Sequence, residues 1–171
     1  MHAQRVLLAV GMLLAAGCGS TDDNTLPCPT AGSAPVNPGH HYAANDPARP
    51  QPAGGAILDG TYYRTDTSYY DGVGPASDNF QGVLNVSGGQ FAVYNNDFDD
   101  PATALVGTFT VAGTRITQTL TNGCGTTSAP VGTQQQVYFS AIAASGSTPA
   151  KLLMWDPDHT SNDKVLTFTR Q

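Results

Sequence analysis

The sequence predicts an all-β protein, an up-and-down antiparallel eight-stranded β-barrel, and three observations support this. Only 12% of the residues are charged, about half the usual share, and none of the acidic residues is glutamate. Aspartate, asparagine and glycine, which favour turns, are abundant instead of the strong helix formers. Eight segments alternate between apolar and polar side chains, and no helical pattern of ten residues separates them.

The first four predicted strands follow one another through short connections. Residues 61–70 are rich in aromatic and β-branched side chains, and residues 80–86 alternate between two faces. The Gly88-Gly89 pair is typical of a tight hairpin, which leads into the third strand. Residues 105–111 alternate in the same way and form the fourth.

The last four predicted strands continue the same meander. A turn at Gly113 leads into residues 115–121, and strands are predicted at residues 134–144, 151–155 and 164–170. Because unpaired sheet edges invite association, eight consecutive antiparallel strands are best closed into a barrel, which holds packed side chains or one small ligand. A β-sandwich is the alternative architecture.

The N-terminal region has the pattern of a signal peptide. Arg5 gives the first residues a positive charge, and residues 6–16 form an apolar run of eleven. This run is too short for the roughly 20 residues that a membrane-spanning helix needs, but it suits the core of a signal peptide. Residues 1–17 are therefore predicted to be removed.

A lipid anchor is expected at Cys18. The residues Ala15-Ala16-Gly17-Cys18 resemble the lipobox of bacterial lipoproteins. The resemblance implies cleavage before Cys18, acylation of this cysteine with chains such as palmitate, and attachment to a membrane of the cell envelope. Gly19, the next residue, is typical of sorting to the outer membrane in enteric bacteria. An ordinary secretory signal, with Cys18 as a plain thiol, is the alternative.

Residues 18–55 are predicted to be the lipid anchor and a tether, and residues 56–171 the barrel domain. Seven of the twelve prolines lie in the tether, as in stiff, extended linkers. Two cysteines remain after lipidation, Cys28 and Cys124, and an oxidising compartment favours a disulfide between them. Such a bond would pin the tether to the barrel. Two free thiols are the alternative.

Two short segments are similar to lipocalin-like bacterial lipoproteins. Residues 60–64, Gly-Thr-Tyr-Tyr-Arg, open the first strand, and residues 107–116 have the sequence of a hairpin common in such proteins. The resemblance covers about residues 57–171 and implies a barrel that binds a small apolar molecule. It supplies no site residues, and the arginine and helix that close a lipocalin barrel are not evident.

The polar motifs predict neither an enzyme nor a resident metal or cofactor. Residues 95–100 have the spaced oxygen ligands of a calcium loop, but Asp100 replaces its glycine and Val106 its final glutamate. A solvated loop is therefore expected, with a looser calcium site as the alternative. The sequence also lacks Gly-x-Ser-x-Gly, His-Glu-x-x-His and a glycine-rich phosphate loop.

Three smaller groups of side chains have an ordinary structural interpretation beside a functional one. Residues 156–159 are interpreted as a turn between strands, and the adjacent His40 and His41 as an incidental pair, with a metal site as the alternative for both. Four tyrosines are interpreted as cross-strand pairs, with a ligand surface as the alternative: Tyr62, Tyr63, Tyr69 and Tyr70.

The charge balance excludes one class of partner. The net charge is −6, and no basic stripe occurs along the chain. Because binding to a phosphate backbone depends on clustered cations, a nucleic-acid partner is not expected. The chain is expected to be a monomer.

Two hypotheses about function follow. The first is a binding module that holds a small apolar ligand inside the barrel, where small residues (Gly82, Gly107, Ala141 and Ala143) leave room. The second is an envelope interaction or structural protein, whose packed barrel only presents loops to a protein partner. The first predicts a cavity lined by the alternating apolar set Phe80, Leu84, Phe91, Val93, Leu105, Phe109, Ile116 and Leu120.

Overall fold

A computed structural model describes residues 25–72, 79–97, 102–124, 129–155 and 164–171. In these residues the chain forms ten β-strands and no helix, so none that could cross a bilayer. The predicted signal peptide, residues 1–17, and Cys18 lie outside the described residues. The strands are β1 (Asn37–Pro38), β2 (His40–His41), β3 (Gly60–Tyr69), β4 (Asn79–Ser87), β5 (Gln90–Asp97), β6 (Thr103–Ala112), β7 (Arg115–Asn122), β8 (Gln134–Ile142), β9 (Lys151–Trp155) and β10 (Lys164–Arg170).

Strands β3 to β10 form a closed barrel, which confirms the predicted fold. Each strand pairs antiparallel with the next in the chain, and β10 pairs back with β3. We call the end where β3 ends and β4 begins the upper end, and the end where β3 begins and β8 ends the lower end. Alternation of apolar side chains allowed this topology to be predicted, because neighbouring residues on a strand face opposite sides of the sheet.

The N-terminal segment completes the barrel where β3 and β4 do not pair. Their ladder contains four residue pairs, from Gly60 opposite Val86 to Tyr63 opposite Val83. Above these pairs, β1 is antiparallel to the start of β4, and β2 is parallel to the end of β3. We call residues 37–41, which contain both short strands, the seam segment.

The proline-rich segment lies against the barrel over its described part, residues 25–55. The Leu26 amide donates a hydrogen bond to Gln90 Oε1 at 3.2 Å. Farther along, the Gly54 amide donates to the Phe139 carbonyl, and the Gly54 carbonyl accepts from the Ala141 amide. The extended tether expected for residues 18–55 thus differs from what the structure shows after residue 24, because backbone hydrogen bonds hold this part to the barrel.

A disulfide between Cys28 and Cys124 confirms the predicted pairing. The two Cα atoms are 5.7 Å apart, and the cysteines are separated by 96 positions in the sequence. Cys124 follows β7, so the bond joins the N-terminal segment to the barrel wall ahead of the seam segment.

Apolar side chains are buried on both faces of the sheet. A second cluster, outside the barrel, contains Tyr70, Leu153, Trp155 and Val165. The N-terminal segment reaches this outer cluster, since the Tyr42 ring stacks on Tyr70. The central cluster inside the barrel consists of Tyr62, Leu84, Val86, Phe91, Ile116, Phe139, Leu152 and Phe168.

Candidate functional site

The eight residues predicted to line a cavity are placed as a group toward the interior of the barrel. Leu84, Phe91 and Ile116 belong to the central cluster. Val93, Leu105 and Phe109 pack against that cluster while partly exposed, and Phe80 and Leu120 are also buried. Their role as ligand contacts stays a prediction.

The centre of the barrel is nearly filled by these side chains. The cavity bordered by Leu84, Phe91, Phe109 and Ile116 has a volume of about 20 Å³. This is about the room that one water molecule needs, whereas an apolar cavity that holds benzene measures about 150 Å³. At this place the structure leaves no room for a ligand without movement of side chains.

Two glycines that were expected to leave room in the interior are covered by large neighbours. A Cβ atom on Gly107 would lie 2.6 Å from the Phe91 ring, and one on Gly82 would lie 2.9 Å from the Arg64 side chain. Each missing side chain is therefore replaced by part of another residue. The glycines allow close packing here instead of creating a void.

A group of charged side chains occupies the barrel near its upper end. Arg64, only 1% exposed, lies with its guanidinium 4.5 Å from the centre of the Phe80 ring. Its Nε donates to Thr67 Oγ1 at 2.8 Å, and its Nη1 pairs with the Asp97 carboxylate. Lys164 Nζ pairs with the other Asp97 oxygen at 3.0 Å. We call Arg64, Thr67, Asp97 and Lys164 together the Arg64 cluster.

The Arg64 cluster fixes the ionisation of Asp97. Burial alone would raise the pKa of this carboxyl, but the charges of Arg64 and Lys164, with their hydrogen bonds, outweigh burial and lower the pKa below its usual value. Asp97 is therefore ionised at neutral pH and is already shared by two cations. Because both Asp97 oxygens already pair with cations, this arrangement does not favour the looser calcium site considered for residues 95–100. Residues 98–100 lie outside the described residues.

Two polar atoms near the Arg64 cluster have no hydrogen-bond partner among the described residues. They are Arg64 Nη2 and Asn95 Oδ1, both buried. Buried polar groups are usually paired with protein or with ordered water, so these two atoms are exceptions within the described residues. Sequence reasoning missed this cluster, because the bulge that follows Arg64 in β3 interrupts the alternation that would have placed Thr67.

An apolar pocket of about 130 Å³ lies at the lower end of the barrel. One wall is the segment that crosses this end before β3, residues 56–58, and the other is the β8–β9 hairpin. We call it the lower pocket. Both alanines that were expected to leave room, Ala141 and Ala143, are part of its wall. Its full lining is Ala56, Ile57, Leu58, Tyr62, Ala141, Ile142, Ala143, Ala150, Lys151 and Leu152.

The lower pocket combines fixed walls with an exposed apolar rim. Ile57 packs against the central cluster and thereby holds the crossing segment on the barrel. The Tyr62 hydroxyl donates to the Leu58 carbonyl at 2.7 Å. Burial and the nearby Asp59 charge raise the pKa of Tyr62, whereas the Arg170 charge and this hydrogen bond lower it. Burial is the largest effect, so the pKa is raised overall and the hydroxyl remains a donor at neutral pH. Leu58 is 43% exposed and Ile142 48%, so the pocket is open to an approaching molecule.

The adjacent histidines do not act together. His40 Nδ1 lies 2.7 Å from an Asp66 oxygen, whereas His41 Nδ1 lies 2.9 Å from an Asp71 oxygen. Neighbouring residues on a strand point to opposite faces, so each ring has its own carboxylate. No group of three or more metal-ligating side chains occurs in the part of the chain that the structure describes. The other candidate, residues 156–159, lies outside that part.

The four tyrosines are divided among different environments. Tyr62 lines the lower pocket, and Tyr63 shares a 2.6 Å hydrogen bond with Ser33. Tyr69 stacks on the His41 ring, and Tyr70 belongs to the outer cluster. They therefore do not form one ligand surface.

Comparisons of the chain with models of protein families, with curated proteins and with solved structures found no match. The candidate site is therefore defined by its own geometry.

Proposed function

We propose that this protein is a lipid-anchored binding module of the cell envelope that holds a small apolar group in the lower pocket. The observation that supports this is the volume of about 130 Å³ between the crossing segment and the β8–β9 hairpin. An apolar cavity of about 150 Å³ is enough for benzene, so the lower pocket suits a group of about six carbon atoms. The ligand site is thus proposed at the end of the barrel rather than at its centre.

The anchoring part of the proposal rests on the lipobox at Cys18. The disulfide at Cys28 attaches the chain to the barrel only ten positions later. A barrel on so short a connection would stay close to the membrane surface. The outer membrane is the proposed location because of Gly19.

Binding of an uncharged six-carbon probe tests the pocket. We expect 1-hexanol, added to the full chain, to shift the NMR amide signals of the crossing segment and of residues 141–151 with a Kd of about a millimolar, since each buried methylene contributes about 0.8 kcal/mol. The Ala143→Leu variant, which fills the pocket, should lose this binding. Ala44→Leu, an exposed alanine at the upper end, is the matched control and should retain it.

The same titration can contradict the proposal. Absence of saturable shifts in the unchanged chain would exclude binding in the lower pocket. Equal shifts in Ala143→Leu would show that hexanol binds elsewhere. A second filling variant, Ala56→Leu, separates loss of the pocket from a local disturbance of the β8–β9 hairpin.

The second candidate function is that of a packed barrel that presents its loops to a protein partner. The filled centre and the Arg64 cluster favour it, because Arg64, Asp97 and Lys164 tie three strands together at the upper end. A photo-crosslinking residue at Val131, which is 70% exposed on the connection before β8, would test it in intact cells. Crosslinking to one protein from Val131, but not from exposed Val111, is the expected result; no crosslinked protein would contradict it.

A further inference from the structure

Three exposed apolar side chains lie at the lower end of the barrel. Leu58 is 43% exposed, Val111 45% and Ile142 48%. Leu58 belongs to the segment that crosses this end, while Val111 and Ile142 lie within the last two residues of β6 and β8, which both end here. We call these three residues the lower rim. Several large apolar side chains exposed on one surface indicate contact with a partner or a membrane.

Cationic side chains lie at the same end. Arg115 and Lys151 are the first residues of β7 and β9, which begin at the lower end, and Arg170 is the last residue of β10, which ends there. Because the next residues, Ile116 and Leu152, belong to the central cluster, alternation places Arg115 and Lys151 on the outer face of the sheet. These two residues therefore carry their charges on the outside of the barrel, beside the lower rim.

The acidic side chains are distributed in the opposite way. The structure describes five aspartates, and of these Asp59 lies at the lower end, where it accepts hydrogen bonds from the Gly88 amide. The other four lie toward the upper end: Asp46, Asp66, Asp71 and Asp97. Among the described side chains, the lower end thus carries three cations and one carboxylate. Its charge is complementary to an anionic surface, whereas the charge of the upper end is not.

The N-terminal segment joins the barrel at the lower end as well. The Leu26 amide donates to the side chain of Gln90, the first residue of β5, and β5 begins at the lower end. Cys18, the proposed lipidation site, lies eight positions before Leu26 in the sequence. Because an extended chain spans at most about 3.5 Å per residue, the anchor would hold the membrane within roughly 28 Å of Leu26. The lower end is therefore the end of the barrel nearest to the point of attachment.

We propose that the lower end of the barrel docks on the surface of a lipid bilayer with anionic headgroups. The lower rim enters the boundary between headgroups and acyl chains, and Arg115, Lys151 and Arg170 lie beside the headgroup phosphates. Apolar burial together with attraction to anionic lipids is the usual basis of binding at a bilayer interface. The lower pocket then opens toward the bilayer, so the apolar group that it holds would be drawn from the membrane. This inference rests on the anchoring part of the proposed function and names the surface that the anchored barrel contacts.

Quenching of tryptophan fluorescence by lipids with brominated acyl chains tests this contact on the lipidated protein. The protein is reconstituted in vesicles of phosphatidylcholine and anionic phosphatidylglycerol, and tryptophan replaces one exposed residue at a time. Leu58→Trp and Ile142→Trp should lose fluorescence when the lipid is brominated. Val131→Trp is the matched control, because Val131 is 70% exposed on the connection before β8 at the upper end. It should show no more quenching than the buried Trp155 of the wild-type protein.

The Lys151→Gln variant, made in the Leu58→Trp protein, tests the role of charge. It should lower the ratio of docked to undocked protein about fivefold, the effect of one cation near an anionic membrane surface. Arg49→Gln is the matched control and should leave the quenching unchanged, because Arg49 lies over the ring of Tyr70, which follows β3 at the upper end. Vesicles of phosphatidylcholine alone, or higher salt, should also weaken docking.

The possible outcomes separate the docking from the anchor on which it rests. Quenching of Leu58→Trp and Ile142→Trp but not of Val131→Trp, reduced by Lys151→Gln, supports both. Protein that stays with the vesicles but shows no quenching at the lower rim, or equal quenching at Val131→Trp, would overturn the docking and leave the anchor standing. Unchanged quenching in Lys151→Gln would overturn the contact with anionic headgroups. Protein that does not stay with the vesicles would overturn the lipid anchor as well.

Discussion

At the scale of single residues, Asp97 balances two cations inside the upper end of the barrel. Its oxygens pair with Arg64, which is 1% exposed, and with Lys164, which is 12% exposed. Removing the carboxylate would leave two like charges close together with little solvent. The stability of this end therefore depends on the ionisation of one side chain.

The Asp97→Asn variant is expected to lower the free energy of unfolding at pH 7 by about 3 kcal/mol. This is the lower end of the range for breaking a buried ion pair, because the Asp97 side chain is 24% exposed. Urea denaturation measures the change. Asp66→Asn, which breaks the more exposed pair with His40, is the control and should cost less than about 1 kcal/mol.

The pH dependence of the same variant gives a second readout. The pKa of Asp97 is lower in the folded chain than its usual 3.8, so its contribution is fully present above the unfolded pKa and is lost as the pH falls through the folded pKa. The wild-type protein should lose stability steeply below about pH 4, and the Asp97→Asn variant should lose stability less steeply. Parallel acid profiles of the two proteins would contradict this role of Asp97.

Gly107 is expected to tolerate no side chain. An added Cβ would lie 2.4 Å from the Thr119 carbonyl oxygen and 2.6 Å from the Phe91 ring. Gly107→Ala should therefore reduce stability by about 1–3 kcal/mol through overpacking, as measured by thermal or urea unfolding. Thr108→Ala, on the exposed face of the same strand, should stay within about 0.5 kcal/mol. A stable Gly107→Ala protein would show that Phe91 does not need its present position.

Alternation predicted which residues face the barrel interior, but not what fills the space between them. The pattern placed Leu84, Phe91 and Ile116 correctly on the inner face. It could not show that the Phe91 ring covers Gly107, because that contact depends on the register between β5 and β6. The volume of an interior is therefore harder to predict than its lining.

At the scale of elements, the seam segment fills the part of the barrel wall where β3 and β4 do not pair with each other. The Asn37 side chain donates to the Arg64 carbonyl at 3.2 Å, and Gln81 donates to the Ala34 carbonyl at 2.7 Å. These bonds hold the segment between β3 and β4. Sequence reasoning missed this role because a proline-rich stretch without alternation is also typical of a linker.

The disulfide is expected to hold the seam segment in place. Replacing Cys28 and Cys124 together by serine should reduce stability by up to about 4–5 kcal/mol, the chain-entropy limit for a loop of this length. Hydrogen exchange should show lost protection at residues 37–41 before the central strands lose theirs. Unchanged protection of residues 37–41 would show that their hydrogen bonds alone suffice. The serine replacements avoid the free thiols that reduction would leave.

At the scale of the whole molecule, the fold follows from local sequence patterns. The lower pocket instead forms where two segments far apart in the sequence come into contact. Eight alternating strands with short turns restrict the chain to a closed barrel or a sandwich. The pocket needs residues 56–58 to cross the lower end and meet residues 141–152, which lie more than eighty positions later. The sequence feature that indicated this pocket was the pair Ala141 and Ala143, since small residues at the end of a strand leave room.

The central proposal, a small apolar group held in the lower pocket, is tested most directly by a crystal of the full chain pressurised with xenon, which enters apolar cavities. We expect a xenon atom between Ile57 and Ala143, and none in the space of about 20 Å³ at the barrel centre. An empty lower pocket, or xenon bound at the barrel centre instead, would contradict the proposal.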